Sequence, residues 1–246
     1  MFSLIRSWKR KRFRTRSVPI GWYSYLERYV PFYSLLTPKQ KDRFLGDLKI
    51  FVWEKQFFGA KEMKITDEVK VVIGAAAVRL TLYLGLSFYD RLTEIIVYPF
   101  DYKHPEEDGP TLGEAHYQGG TVVLSWPSVL EGFLDRESGH NTAYHEFAHI
   151  LDRASGAYDG TPKLHEREHY RSWQDIMSYH FTRLQDGEDN QVEAMDEYGA
   201  INEAEFFAVA TETFFDRPES LRQNTPDLYR QLVRFYRFDP VRNEGQ

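Results

Sequence analysis

Two histidines four residues apart, with a glutamate between them, form an H-E-x-x-H pattern: His145-Glu146-Phe147-Ala148-His149. On a helix, residues i and i+4 lie one turn apart on the same face, so both imidazoles can reach a single ion. Glu146 projects beside them, placed to take a proton from metal-bound water rather than to bind the metal. Two histidines make an incomplete site, because catalytic zinc usually has three protein ligands and one open position. The chain contains no cysteine. The third ligand is therefore His, Asp or Glu, and disulfides, thiolate clusters and a cysteine nucleophile are excluded together.

Downstream candidates are His165, His169, His180 and the acids between Asp196 and Asp216. The longer pattern H-E-x-x-H-x-x-G-x-x-H is excluded, since Asp152 and Ser155 stand where it needs Gly and His. The segment from Asn202 to Phe215 reads as a helix with an apolar stripe of Phe206, Val209, Ala210, Thr213 and Phe214. Glu205 and Glu212 are seven residues apart and share nearly one face of it. Glu205 adjoins the buried stripe, where a carboxylate is rare unless paired or metal-bound. Spacing favours Glu205 and leaves Glu212 and the other acids open. His165 and His169 sit among Glu166, Arg167 and Glu168 and read as a solvated helix face. His140 reads as a surface residue.

These residues need elements to hold them. Asn141 or Thr142 starts the H-E-x-x-H helix; Phe147, Ala148, Ile150 and Leu151 give it buried faces, and Ala154-Ser155-Gly156 ends it. Upstream, Glu94 to Tyr98 and Thr121 to Trp126 read as strands, separated by a long loop from Phe100 to Gly120. The second strand precedes the site; it reads either as an edge that could pair with an extended peptide or as an ordinary internal strand. Thr37-Pro38-Lys39-Gln40 begins a helix expected to reach Phe57 and stop at Gly59. Thr66-Asp67-Glu68 begins another, with a stripe of Val71, Val72, Ala75, Val78 and Leu82, ending near Gly85. After Pro127 the chain reads helical almost throughout, with breaks at Gly156 to Pro162 and Asp186 to Asn190, and Thr225 caps a last helix. The fold class is α+β, predominantly α-helical, with a small sheet preceding the H-E-x-x-H helix.

Length and composition agree with a soluble, well-packed protein: 246 residues, 42% hydrophobic, 16% aromatic. Charge is uneven. Arg6, Lys9, Arg10, Lys11, Arg12, Arg14 and Arg16 form a basic arm with no acid before Ser17. Removing those seven cations from the net charge of -6 leaves -13 on the rest. An acidic body of this charge repels a nucleic-acid backbone, so the folded part is not expected to bind nucleic acid. Residues 1–16 read as a solvated, poorly ordered tail, or as a basic arm touching an acidic membrane surface or nucleic acid through its interleaved Phe2, Leu4, Ile5, Trp8 and Phe13. Residues 17–246 read as one domain. The most apolar stretch, Val71 to Leu86, contains Arg79 and is too short to span a bilayer, so a cytoplasmic location is expected.

The H-E-x-x-H pattern with Ile150-Leu151-Asp152, Tyr198-Gly199-Ala200 and Glu205-Phe206-Phe207-Ala208-Val209 resembles the Mlc titration factor A family of bacterial cytoplasmic zinc metallopeptidases. The resemblance extends to Ile95-Ile96-Val97-Tyr98-Pro99, Val123-Leu124-Ser125-Trp126, Phe235-Tyr236 and Asp239-Pro240. The segment Tyr198 to Ala208 is also similar to the catalytic domain of anthrax lethal factor. The resemblance implies a zincin-like domain with a His145, His149, Glu205 zinc site, Glu146 as general base and Tyr198 beside the substrate carbonyl. It further implies an aminopeptidase-like activity on peptides and binding of a transcriptional repressor of the Mlc type that controls sugar uptake. One departure is notable. Thermolysin-like enzymes carry an Asp four residues after the Glu ligand to orient a ligand histidine; here that position is Val209, leaving Asp152 or Glu212 as the acceptor.

Overall fold

A computed structural model describes residues 2–101, 113–116, 120–187 and 195–243. In chain order its elements are α1 (Phe2–Arg14), α2 (Ile20–Tyr29), α3 (Phe32–Leu35), α4 (Pro38–Glu54), β1 (Gln56–Gly59), α5 (Asp67–Thr81), β2 (Glu94–Tyr98), β3 (Gly113–His116), β4 (Thr121–Ser125) and α6 (Trp126–Leu134). Then follow α7 (Thr142–Arg153), α8 (Arg167–Gln185), α9 (Glu203–Asp216), α10 (Pro218–Asn224), α11 (Pro226–Tyr236) and α12 (Pro240–Asn243). The class is the expected helix-rich α+β.

The sheet has order β1-β2-β4-β3. β1, β2 and β4 are parallel, and β3 returns antiparallel along β4. β2 and β4 lie where alternation and β-branching predict them. β4 is paired on both sides, which is the internal-strand reading, and the edge beside it belongs to β3. β3 falls inside the stretch read as a loop; most of that loop lies outside the described residues, as does much of the expected break at Asp186 to Asn190. α4 ends at Glu54, three residues before the expected Phe57, and the chain turns directly into β1. Four residues are too few to announce a strand by themselves. β1 exists because Gln56 to Gly59 find a parallel ladder on Glu94 to Val97.

Local signals set the helix starts. Thr37 and Gln40 form the capping box of α4, Thr66 caps α5, and Ser125 ends β4 and caps α6 by accepting from the Ser128 N–H. Thr225 is an exception: its hydroxyl donates back to the Leu221 carbonyl instead of capping α11. Two helices form the centre. α5 is buried at every position from Val71 to Thr81 and packs against α2, α4 and α7. α9 is buried from Ala204 to Asp216 and packs against α7, α8, α10 and α11. α7 lies between them.

Within residues 1–16, read as a poorly ordered tail or a basic arm, Phe2–Arg14 form α1. Arg6, Arg10 and Arg14 recur one turn apart and face the body. Arg10 forks onto Glu54 at 2.8 and 2.6 Å and reaches Asp90 at 2.8 Å. Arg6 also pairs with Asp90 at 2.8 Å, and Arg14 pairs with Asp47. Phe13 stacks on Trp53 with centroids 4.4 Å apart, and the Lys49 ammonium caps the helix end by donating to the Arg14 carbonyl at 2.7 Å. All these partners lie far away in sequence, out of reach of a composition argument.

Candidate metal centre

α7 begins at Asn141, whose side chain accepts from the Tyr144 N–H and donates to the Gly132 carbonyl. Phe147 packs edge-on against Phe51 and Tyr89, and the Tyr144 hydroxyl accepts from Arg79. These contacts fix the rotation of α7 so that His145 and His149 turn toward α9. There Asn202 caps the first turn, accepting from the N–H groups of Ala204 and Glu205 at 3.0 Å each. Glu205 thus sits at the positive end of a helix, beside both histidines.

Three donor atoms meet. His145 Nε2 lies 2.9 Å from Glu205 Oε2, His149 Nε2 lies 3.2 Å from the same oxygen, and the two nitrogens are 3.1 Å apart. Ligands bound tetrahedrally at zinc distances sit about 3.3 Å from one another. Two imidazole nitrogens and a carboxylate oxygen at this separation suit a divalent cation far better than they suit each other. This is also the one metal-capable His/Asp/Glu cluster among the described residues. His165, His169 and His180 are elsewhere. His165 bonds to the Phe235 carbonyl, His169 to Gln231 and His180 to Asp227. His169 is buried, correcting its reading as part of a solvated face. His140 is on the surface, 3.0 Å from Asp196.

The acceptor behind the histidines is Glu212 rather than Asp152. Glu212 Oε1 lies 2.7 Å from His145 Nδ1, and its Oε2 accepts from the Asn141 N–H at 2.5 Å. A carboxylate only accepts, so Nδ1 carries a proton toward Glu212 and Nε2 is the ring atom that faces the cluster. One carboxylate thereby orients His145 and ties the start of α7 to α9. Burial opposes charge on His145, but Glu212 and Glu205 outweigh it and draw its pKa well above the usual range. Burial likewise opposes ionisation of Glu205, and the adjoining His145 and His149 overcome it, holding the carboxyl far below its ordinary value. Burial lowers the pKa of His149. With Glu146 also buried on α7, three carboxylates stand around the two imidazoles.

Asp152 acts on the loop beyond α7. Its Oδ2 accepts from the Gly160 N–H at 3.0 Å, and burial pushes its pKa up to about 7. Gly160 adopts φ +71°, and a Cβ there would come 2.3 Å from the Glu203 carbonyl, so only glycine lets this loop approach the start of α9. Trp173 Nε1 donates to the Gly160 carbonyl. The pinned loop delivers Tyr158, which nothing in the sequence pattern singles out. Its hydroxyl is 3.2 Å from His149 Nδ1 and 3.4 Å from Glu205 Oε1. One proton arrangement satisfies both contacts: Nδ1–H donates to the hydroxyl, which donates to Glu205. Only a marked exception to the helical pattern, the Gly156 to Pro162 break, hinted that this loop had a structure of its own.

Tyr198 lies on a single 3-10 turn, Glu197–Ala200, where the Asp196 side chain accepts from the Tyr198 N–H at 2.7 Å. Its ring centroid is 5.7 Å from that of His145, and the residue is 49% exposed. A core tyrosine would be buried; this one stands at the open side of the cluster.

A family model described as glucose-regulated metallo-peptidase M90 matches residues 5–237. An uncharacterized protein of Synechocystis is 37% identical, over 96% of this chain and 90% of its own. Mlc titration factor A of Edwardsiella ictaluri is 30% identical, over 86% of this chain and 85% of its own. That of Pectobacterium atrosepticum is 31% identical, over 86% and 84%.

Proposed function

The chain belongs to the glucose-regulated metallo-peptidase family, and from that premise we propose that it is a cytoplasmic, zinc-dependent peptidase of the His-His-Glu (gluzincin) type with aminopeptidase-like preference. The observation that carries this reading is the convergence of His145 Nε2, His149 Nε2 and Glu205 Oε2, backed by Glu212. Those three residues would hold the ion. Zinc, when bound, supplies Lewis acidity toward a substrate carbonyl and toward water.

The chain's own residues supply the rest. Glu146, on the turn between the two ligand histidines, takes the proton of the attacking water on its carboxylate and returns it to the leaving amine. Tyr198 offers a hydroxyl donor to the oxyanion that develops on the carbonyl. Glu212 holds the Nδ1 proton of His145 and keeps its Nε2 lone pair available. β3, outermost of the described strands beside α7, offers backbone groups to an extended peptide, a role the sequence pattern had suggested for β4.

The test uses purified protein, metal analysis and a panel of amino-acid anilides. About one zinc per chain is expected. Glu146→Gln should keep the metal and lose hydrolysis by about 10²-fold or more. Tyr198→Phe should lower kcat with little change in KM. Wild-type turnover in Glu146→Gln would remove Glu146 as the base.

A second reading rests on the names of the relatives, which are called titration factors of the repressor Mlc. In that reading the chain sequesters an Mlc-type transcriptional repressor and the metal site is structural or vestigial. Zinc bound without hydrolysis of any peptide, together with repressor capture unaffected by Glu146→Gln, would favour it.

A further inference from the structure

α1 is cationic on every side, yet its two faces do different things. Arg6, Arg10 and Arg14 are turned to Asp90, Glu54 and Asp47 of the body. The outer face carries Trp8 and Arg12, flanked by Ile5 and Lys9 on one side and Lys11 on the other; all five are exposed. Trp8 is 62% exposed and Ile5 49%. The Arg12 guanidinium lies over the Trp8 ring, 5.9 Å from its centroid. Ile5 and Lys9 also border a surface depression against the body, where Trp53, itself exposed, lies with the Arg6 partner Asp90 and with Glu54. No acid occurs among residues 1–16, whereas the rest of the chain is strongly acidic.

The arrangement is a cationic surface with large apolar side chains set among the charges. Ile5 and Trp8, one turn apart among the cations, give this helix an apolar component that charge alone does not. At the headgroup level of a bilayer both kinds of side chain gain: Trp and Ile enter the boundary with the acyl chains while Lys and Arg meet phosphates. No described helix is long and apolar enough to cross a membrane, so any contact is peripheral.

We propose that α1 is a docking helix for anionic lipid surfaces, lying in the membrane plane with Ile5 and Trp8 inserted and Lys9, Lys11 and Arg12 on the headgroup phosphates. A nucleic-acid backbone could meet the same cations, but its grooves offer Ile5 no apolar volume. The inserted pair therefore separates the two polyanions. The inner arginines hold the helix to the body, so that docking carries the metal centre to the membrane surface.

The test is co-sedimentation of the full-length, metal-loaded protein with vesicles of phosphatidylcholine alone or mixed with phosphatidylglycerol. Binding is expected to the anionic vesicles only and should fade as salt rises from about 50 to 500 mM. Lys9→Gln, Lys11→Gln and Arg12→Gln together should lower partitioning by about 100-fold, at about fivefold per charge. Ile5→Ser with Trp8→Ser leaves the charge unchanged and should lower it by about tenfold or more. Both sets replace exposed side chains, and melting curves matching wild type verify the fold. Failure of the wild-type protein to sediment with anionic vesicles overturns the proposal, whatever the variants do. So does equal binding to neutral vesicles, or salt-dependent DNA binding that is indifferent to Ile5→Ser and Trp8→Ser in a protein that ignores vesicles.

Discussion

α5 and α9 are equally buried and differ in what they bury. α5 is lined with Val, Ile, Ala and Leu, and its one charged residue within the buried run is Arg79. α9 buries three carboxylates, Glu205, Glu212 and Asp216, along with its phenylalanines. A helix that is apolar all round is stabilised by burial alone. A helix that buries acids must find each one a partner. Glu205 has the two histidines, Glu212 has His145 and the Asn141 N–H, and Asp216 has Arg136 at 3.7 Å with Arg79 nearby. Burial pushes Asp216 up to about 7 even so. Arg79 and Arg136 also donate to the Phe215 carbonyl at the negative end of α9. The charge of α5 thus serves α9. The difference separates a helix that holds the fold from one that holds a site.

The comparison breaks most sharply on two substitutions. Glu205→Ala should abolish metal binding, with an affinity loss well beyond the 10–100-fold typical of an outer partner, while the fold persists. Ile73→Ala in α5 should cost about 2–5 kcal/mol of stability and leave metal affinity per folded molecule unchanged. Calorimetry and metal titration on both variants check this. Full metal retention in Glu205→Ala would move the ligand role to another acid. An Ile73→Ala protein that loses metal while folded would erase the distinction between the helices.

Asp152 supplies the next effect, through pH. Its folded pKa of about 7 lies above the ordinary carboxyl value, because burial disfavours the charge. The folded protein therefore binds this proton more tightly than the unfolded chain does. Stability from this group is fully present below about pH 4 and is lost as pH rises toward 7. Asp152→Asn should flatten the decline between pH 5 and 7.5 by about 2 kcal/mol, read from denaturant melts at several pH values. Parallel curves for the two proteins would show that Asp152 is ionised throughout.

Glu212→Gln tests the outer partner of His145. Metal affinity should fall by about 10–100-fold, with stability nearly held because the amide still accepts from the Asn141 N–H. The smallest effect belongs to Tyr158→Phe. Removing the hydroxyl between His149 and Glu205 should weaken metal binding by about tenfold or less, with no change in melting, since the residue is only half-buried. An unchanged affinity would reduce Tyr158 to packing against the His149 ring, whose centroid is 5.3 Å away.

Within this molecule, what can be read along the chain is what depends on neighbours a few residues apart. The i, i+4 spacing of His145 and His149 is one case, and the shared face of Glu205 and Glu212 is another. The caps at Thr37, Thr66, Asn141 and Asn202, and the β-branched runs of β2 and β4, are also local, because helix and strand periods are local geometry. What the tertiary structure decided has partners that are distant in the chain. β1 needs β2 to be a strand, and β3 needs β4. α1 is ordered by Asp47, Glu54 and Asp90. The choice of Glu212 over Asp152 behind His145, and the arrival of Tyr158 at His149, follow from how α7, α9 and the Gly160 loop pack. A hydrogen bond between such groups depends on positions in space that no local spacing encodes, so folding alone reveals it.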